Sequence, residues 1–441
     1  MKTILTFLCA VLGVNSLFCQ PSLPNDVLFD GHVNCPAVST GGGRVYLRLC
    51  IAGRQGHRHD RRPVNLCVVL DRSGSMSEED KMTFAKSALY ALVDDLRSDD
   101  LFSLVIYDDE VDVLRPSMCV GHDRERIRSL IDEIRPRGWT NLGGGMQEGF
   151  RQAERTAGEE YVNRVILLSD GLANQGITDQ EQLERIARRF RSRSISLTTI
   201  GVGLDYNENL MMGLSESGGG NYYFLESCRN LASVFHKEFD AMSEVVGQNV
   251  SIHLDLGRGV ELLDAIGYDV HTRGSGAEVA LGDVYAGESR EIMLELNVAP
   301  GDGELSLAHA RLVSSGGSTE RELASLETRI HYEQDQHVVE RTRDLGEQAK
   351  VDVAISTRGV AKAMEALDRG DKAEASRTLS VARAALMSSP AANQPGAAGA
   401  AIKDQAMKIS GYSSTLEQDT AEAKKAKKEI QYENYRQQKS R

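Results

Sequence analysis

Asn65-Leu66-Cys67-Val68-Val69-Leu70-Asp71-Arg72-Ser73-Gly74-Ser75-Met76-Ser77 decides the fold. Its first half is a short apolar run rich in β-branched valine, as expected of a strand buried on both faces. The run stops at Asp71. Ser73-Gly74-Ser75 is turn chemistry, and Glu78-Glu79-Asp80 then precede an apolar-periodic segment, as acidic residues do at a helix start. One carboxylate and two hydroxyls therefore stand at the carboxyl end of a buried strand, where open α/β sheets bind ligands. A donor set made only of oxygen suits a hard cation such as Mg²⁺.

Outward from this stretch, strands and helices alternate. Met82, Ala85, Leu89, Leu92 and Val93 recur at helical spacing and predict a helix over 81–96. Further helices are expected over 123–134, 146–155, 179–191 and 231–242. Strands are expected over 101–107, 111–114, 164–169, 194–200 and 221–224. Such alternation predicts an α/β fold with a doubly wound, mostly parallel sheet. Two more segments carry chemistry. Gly138-Trp139-Thr140-Asn141-Leu142-Gly143-Gly144-Gly145 offers the Thr140 hydroxyl, with glycines that let backbone approach closely. Leu167-Leu168-Ser169-Asp170-Gly171 is a second buried strand ending in a carboxylate.

These three segments, in this order, resemble the D-x-S-x-S, threonine and aspartate motifs of the von Willebrand factor A-type (VWA) domain. The resemblance covers 63–242 and points to the bacterial secreted type. It implies a Rossmann-like fold with a metal-ion-dependent adhesion site. Asp71, Ser73, Ser75, Thr140 and Asp170 would hold Mg²⁺ (or Mn²⁺ or Ca²⁺). A protein ligand would offer an acidic residue to the open coordination position.

The flanks extend this organisation. Residues 1–19 hold an apolar run after Met1-Lys2 and read as a signal peptide, with cleavage after Ser16 or Cys19, so the mature chain is expected to be secreted or periplasmic, with no membrane span. The segment 20–62 reads as irregular up to Gly43. It then alternates through Arg44-Val45-Tyr46-Leu47-Arg48-Leu49-Cys50-Ile51, a half-buried strand. This strand has no place in the parallel sheet. The alternating stretches of 243–335 predict a β-sandwich, and the strand is expected to pair there, with the α/β domain inserted in or followed by the sandwich. The region 336–441 is helical. A hairpin is expected from helices 353–367 and 372–387, its apolar stripes packed on the last helix or the β-sandwich, with a flexible Ala/Pro/Gly-rich connection over 388–400 and a charged last helix over 417–438 whose basic residues read as solvated.

Composition limits the function. A net charge of −13 repels nucleic acid, so the basic runs around Arg61 and Arg188 read as solvated surface. The seven cysteines lack paired CxxC spacing, which disfavours zinc; Cys35 and Cys50 could pair in an oxidising compartment. His57 and His59 have no third ligand nearby. A Mg²⁺ phosphohydrolase of the haloacid dehalogenase type needs a second aspartate two residues after the first, and that position is Ser73. No zinc-protease, serine-hydrolase or P-loop motif is present. The expected function is therefore a non-enzymatic, cation-dependent binding module. The alternative is a Mg²⁺-dependent hydrolase or an assembly subunit of an envelope complex.

Overall fold

The computed structural model describes residues 26–54, 61–273, 276–315, 320–416 and 421–439. The stretch read as a signal peptide and the His57/His59 loop lie outside them. The chain opens with β1 (Val27–Val33), β2 (Ala37–Ser39) and β3 (Gly43–Gly53). The stretch before Gly43, expected to be irregular, thus holds two strands. Neither is apolar enough to announce itself; β1 pairs antiparallel with nearby β3, and β2 pairs with the distant β16.

The α/β domain follows: β4 (Val64–Asp71), α1 (Lys81–Asp95), β5 (Leu101–Tyr107), β6 (Val111–Cys119), α2 (Arg124–Asp132), α3 (Leu142–Glu154), β7 (Val162–Ser169), α4 (Gln180–Arg191), β8 (Ile195–Val202), α5 (Glu208–Gly218), β9 (Gly219–Leu225) and α6 (Leu231–Ser243). The sheet runs β6-β5-β4-β7-β8-β9, parallel except for edge strand β6. Every residue of β4 is buried, because helices cover both faces of the sheet centre. Strand order reverses at β4, which has β5 on one side and β7 on the other. The carboxyl ends of β4 and β7 therefore border the crevice that such a reversal opens. Helix α3 starts at Leu142, earlier than expected, so Gly143 and Gly145 are helical. Their role is close packing: a Cβ on Gly145 would stand 2.6 Å from the Tyr107 ring, and one on Gly143 2.6 Å from the Ile177 carbonyl oxygen. Helix α5 was not expected, since Ser215-Glu216-Ser217-Gly218 reads locally as loop.

Beyond α6 come β10 (Val245–Leu256), β11 (Val260–Ala265), β12 (Val270–Arg273), β13 (Gly276–Tyr285), β14 (Ser289–Val298), β15 (Glu304–Ser314) and β16 (Arg321–Glu333). They form a sandwich of two sheets, β1-β3-β14-β11 and β12-β13-β10-β15-β16-β2. Strand β3 pairs antiparallel with β14, Leu47 opposite Leu294. The α/β domain is thus an insertion between β3 and β10. Val45, Leu47, Leu49 and Ile51 point into the sandwich core.

Arg48, on the outer face of β3, hydrogen-bonds Glu347 (2.6 Å) in the helical region. That region comprises α7 (Gln336–Thr342), α8 (Leu345–Asp368), α9 (Lys372–Ser388), α10 (Ala397–Leu416) and α11 (Ala421–Lys439). Helices α8 and α9 form the expected hairpin, and Arg369-Gly370-Asp371 is its turn. The Asp371 carboxylate accepts from Glu374 N–H (2.8 Å) and caps α9, a bond worth about 1 kcal/mol.

Three expectations fail here. The connection over 388–400 is not an open linker: Ala391 and Ala392 are buried in the helical core, and α10 begins inside it. The charged last helix is not solvated. Helix α11 lies against β9 and α8, with Tyr432 and Tyr435 edge-on to the Tyr222 ring. Its Lys428 is buried, hydrogen-bonded to Glu208 (2.6 Å) and to the Tyr206 carbonyl (2.9 Å). Finally, Cys35 and Cys50 are free thiols. Cys35 donates to the Ala37 carbonyl (3.0 Å), whereas Cys50 lies on the face of β3 turned toward Arg48 and the helices. No helix among the described residues is long and apolar enough to cross a membrane.

Candidate metal centre

Asp71 ends β4 and is fully buried. The turn after it is fastened on three sides. Arg72 N–H donates to the Tyr107 carbonyl (2.9 Å), Gly74 N–H to the Gly138 carbonyl (3.2 Å), and the buried Met76 side chain anchors the base. The Asp71 carboxylate accepts from Ser73 N–H (2.8 Å), Ser169 Oγ (2.9 Å) and Tyr107 Oη (3.2 Å). These bonds fix its rotamer before any ligand arrives. They also lock Ser73 and Ser75 to one side, their hydroxyl oxygens 3.1 Å apart.

The second carboxylate arrives from the neighbouring strand. Asp170 follows β7 directly, and its Oδ1 accepts from Ser75 Oγ (2.7 Å). Thr140 comes from the loop before α3. Its N–H donates to Asn174 Oδ1 (3.0 Å) and its carbonyl accepts from Asn174 N–H (3.2 Å), so the loops after β7 and before α3 are stitched together. The far side of the Thr140 loop is held by charge. Arg137 hydrogen-bonds Asp108 (2.7 Å), and Arg72 hydrogen-bonds Asp112 (2.6 Å). Gly171 leaves open the space between Thr140 and Ser75: a Cβ there would stand 3.5 Å from Thr140 Oγ1 and 3.8 Å from Ser75 Oγ. Asp71, Ser73, Ser75 and Asp170 thus form one hydrogen-bonded chain above the strand-order reversal, with the Thr140 hydroxyl facing Ser75 across Gly171.

Residues 65–237 match the von Willebrand factor type A domain family. The chain carries a von Willebrand factor type A domain. Among related sequences, YfbK of Escherichia coli (strain K12) is 28% identical over 261 residues, which is 58% of this chain and 45% of YfbK. Inter-alpha-trypsin inhibitor heavy chain H4 of Homo sapiens is 30% identical over 165 residues, covering 36% of this chain and 18% of that one. The chain thus spans less than half the length of either relative. Among solved structures, a von Willebrand factor type A protein from Catenulispora acidiphila superposes with a TM-score of 0.73 at 17% identity, over 96% of this chain and 99% of that one. The ArnB paralog VWA2 from Sulfolobus acidocaldarius gives 0.61 at 18% identity, over 94% and 98%. At these identities the two likenesses speak to the fold alone.

The electrostatics of the site bear on whether it could hold a cation. Burial and the nearby Asp170 charge push the Asp71 carboxyl up to about 6, although the bonds from Ser73 and Ser169 oppose this. A buried, like-charged carboxylate pair is a place where positive charge is favourable. The donor set fits a divalent oxygen-seeking ion: two carboxylates, three hydroxyls and a gap kept open by glycine. Sequence reading missed three residues that shape the site. Tyr107 and Ser169 orient Asp71. Lys81, the first residue of α1, places Nζ 2.8 Å from Asp170 Oδ2. Trp139 and Leu172 rim the site on the two stitched loops, 63% and 57% exposed against the usual burial of such side chains.

Proposed function

We propose that this is an exported VWA protein that grips a protein partner through a divalent cation held by Asp71, Ser73, Ser75, Thr140 and Asp170. The observation that carries the reading is the convergence of these five side chains around the Gly171 gap. Bound Mg²⁺ or Mn²⁺ supplies an electrophilic centre for a partner's carboxylate. The chain's own residues orient the donors, exclude bulk water with the buried strand ends, and offer Trp139 and Leu172 as an apolar rim for the residues flanking that carboxylate. Interfaces draw on such exposed aromatics.

The domain works by binding and not by turnover: Ser73 stands where a phosphohydrolase would need its second aspartate. The apolar N-terminal run after Met1-Lys2 supports export.

Calorimetry with Mg²⁺ and Mn²⁺ tests the site. Wild type is expected to bind one ion, and Asp71→Ala none. Ser73→Ala should bind more weakly than wild type yet measurably, because water can replace a neutral oxygen. Equal binding by wild type and Asp71→Ala would refute the reading. A pull-down with and without chelator then tests the partner.

A further inference from the structure

Asp170 already has a cation. Lys81 is buried, its Nζ 2.8 Å from Asp170 Oδ2 and 3.5 Å from the Ser75 carbonyl oxygen. The backbone is bent to put it there. Glu79 and Asp80 immediately before it adopt left-handed φ values of 51° and 57°, a conformation that non-glycine residues rarely take. Burying an ammonium costs several kcal/mol unless it is paired, so the strain and the burial are sustained chiefly by this carboxylate, with the exposed Glu78 and Glu79 adding a weaker, solvent-screened attraction from outside the donor set.

The charge count follows. Asp71 and Asp170 contribute two negative charges, Lys81 one positive, and the serine and threonine hydroxyls none. We infer that Lys81 is a resident counter-charge that weakens the site's hold on a divalent cation alone and leaves the loaded site with a net positive charge, so that an anionic partner completes it. This rests on the metal reading above. Without Lys81 the two carboxylates would neutralise a divalent ion, and the incentive to recruit a further carboxylate would fall. With it, cation and partner carboxylate stabilise each other, since each relieves an imbalance the other creates. In a buried site such unit charges interact strongly even when discounted for an effective dielectric constant of about 20.

The sign of one substitution separates this role from a purely structural one. A lysine that only props up Asp170 would, on removal, loosen the site and weaken metal binding. A resident counter-charge would, on removal, strengthen it. The test is titration calorimetry of the full chain with Mn²⁺ as sole probe, on wild type, Lys81→Met and Lys81→Arg. Lys81→Met is expected to bind Mn²⁺ at least tenfold tighter than wild type, and Lys81→Arg close to wild type. In thermal melts Lys81→Met should be less stable in chelator yet gain more on adding Mn²⁺, because a tighter ligand stabilises more at the same concentration. Lys81→Gln keeps a donor for Asp170 and serves if the methionine variant folds poorly; it too should tighten. Unchanged or weaker Mn²⁺ binding by the folded variants overturns the inference and leaves the metal site standing. Absence of Mn²⁺ binding by wild type and variants alike overturns the metal reading and this inference with it.

Discussion

Asp71→Asn is expected to stabilise the metal-free protein at neutral pH. The Asp71 carboxyl is raised from 3.8 to about 6, first by burial and then by Asp170. A carboxylate with a raised native value binds its proton more tightly folded than unfolded. The native state therefore carries no penalty below about pH 4, acquires one as pH rises toward 6, and bears all of it above. Two pKa units correspond to about 3 kcal/mol. The residue is fully buried, so solvent screening removes little of this. Asparagine removes the charge but turns one acceptor into a donor. Tyr107 can release it, because its hydroxyl also reaches the Leu168 carbonyl (3.0 Å). Ser169 must then rotate to accept, and the exchange costs about 1 kcal/mol. The net gain is about 2 kcal/mol at pH 7.5, or roughly 4–8 °C in the melting temperature of a domain this size. The assay is calorimetric melting in chelator at pH 4 and pH 7.5. The gain should vanish at the lower pH, and added Mg²⁺ should raise the melting temperature of wild type only. An Asp71→Asn protein less stable than wild type by the same margin at both pH values would refute the electrostatic reasoning.

Two other sites make separate predictions. Arg164 is fully buried between the domains, hydrogen-bonded to Glu238 (2.9 Å), Asp283 (2.6 Å) and the Tyr285 hydroxyl (2.7 Å). Arg164→Met leaves buried carboxylates uncompensated, so denaturant unfolding should show a loss of about 3–5 kcal/mol; under 1 kcal/mol would mean water already enters that junction. Lys428→Ala should cost about 1–3 kcal/mol by removing the more buried of the two lysines that hold Glu208, Lys427 keeping its own bond (2.9 Å), and limited proteolysis should then cut first near α11. Uniform protection of α11 in the variant would show that the tyrosine contacts alone hold it.

The parts of the site that sequence displays are those set by local chemistry. Asp71, Ser73 and Ser75 lie within one turn, and Asp170 ends an apolar run, so strand and turn patterns expose them. Thr140 stands in a glycine-rich loop between two periodic segments. Lys81 was hidden because it is simply the first residue of an amphipathic helix; what it touches depends on where β7 ends in space. The same holds for α11. Its lysines read as solvent-facing charge because Glu208, Glu226 and Asp368 are supplied from far along the chain. Helix α10 was obscured by Pro395 and Gly396, which announce a loop just before an alanine-rich segment that favours helix. The β3–β14 pairing could be argued because β3 has no place in the parallel sheet, whereas β1, which pairs with β3, and β2 gave no such hint.

The insertion also sets an order of events during synthesis. Leu47 and its neighbours on β3 leave the ribosome early, but their partners on β14, Leu294 among them, emerge only after the whole α/β domain has been made. Until then β3 offers an open hydrogen-bonding edge and an apolar face with nothing to cover them. The inserted domain can meanwhile close its own sheet, since all six of its strands lie within one continuous stretch. That early closure brings the exit of the finished body to the end of β3: Ala286 N–H donates to the Glu244 carbonyl (2.8 Å) and Gly287 N–H to the Gly53 carbonyl (2.8 Å), so the waiting strand and the late one are delivered side by side. The long loop entropy that would otherwise delay a pairing of such sequence separation is thereby cut to that of two short connectors. Substitutions that slow closure of the α/β domain should therefore surface as aggregation of nascent chains through β1–β3, far from the residue changed.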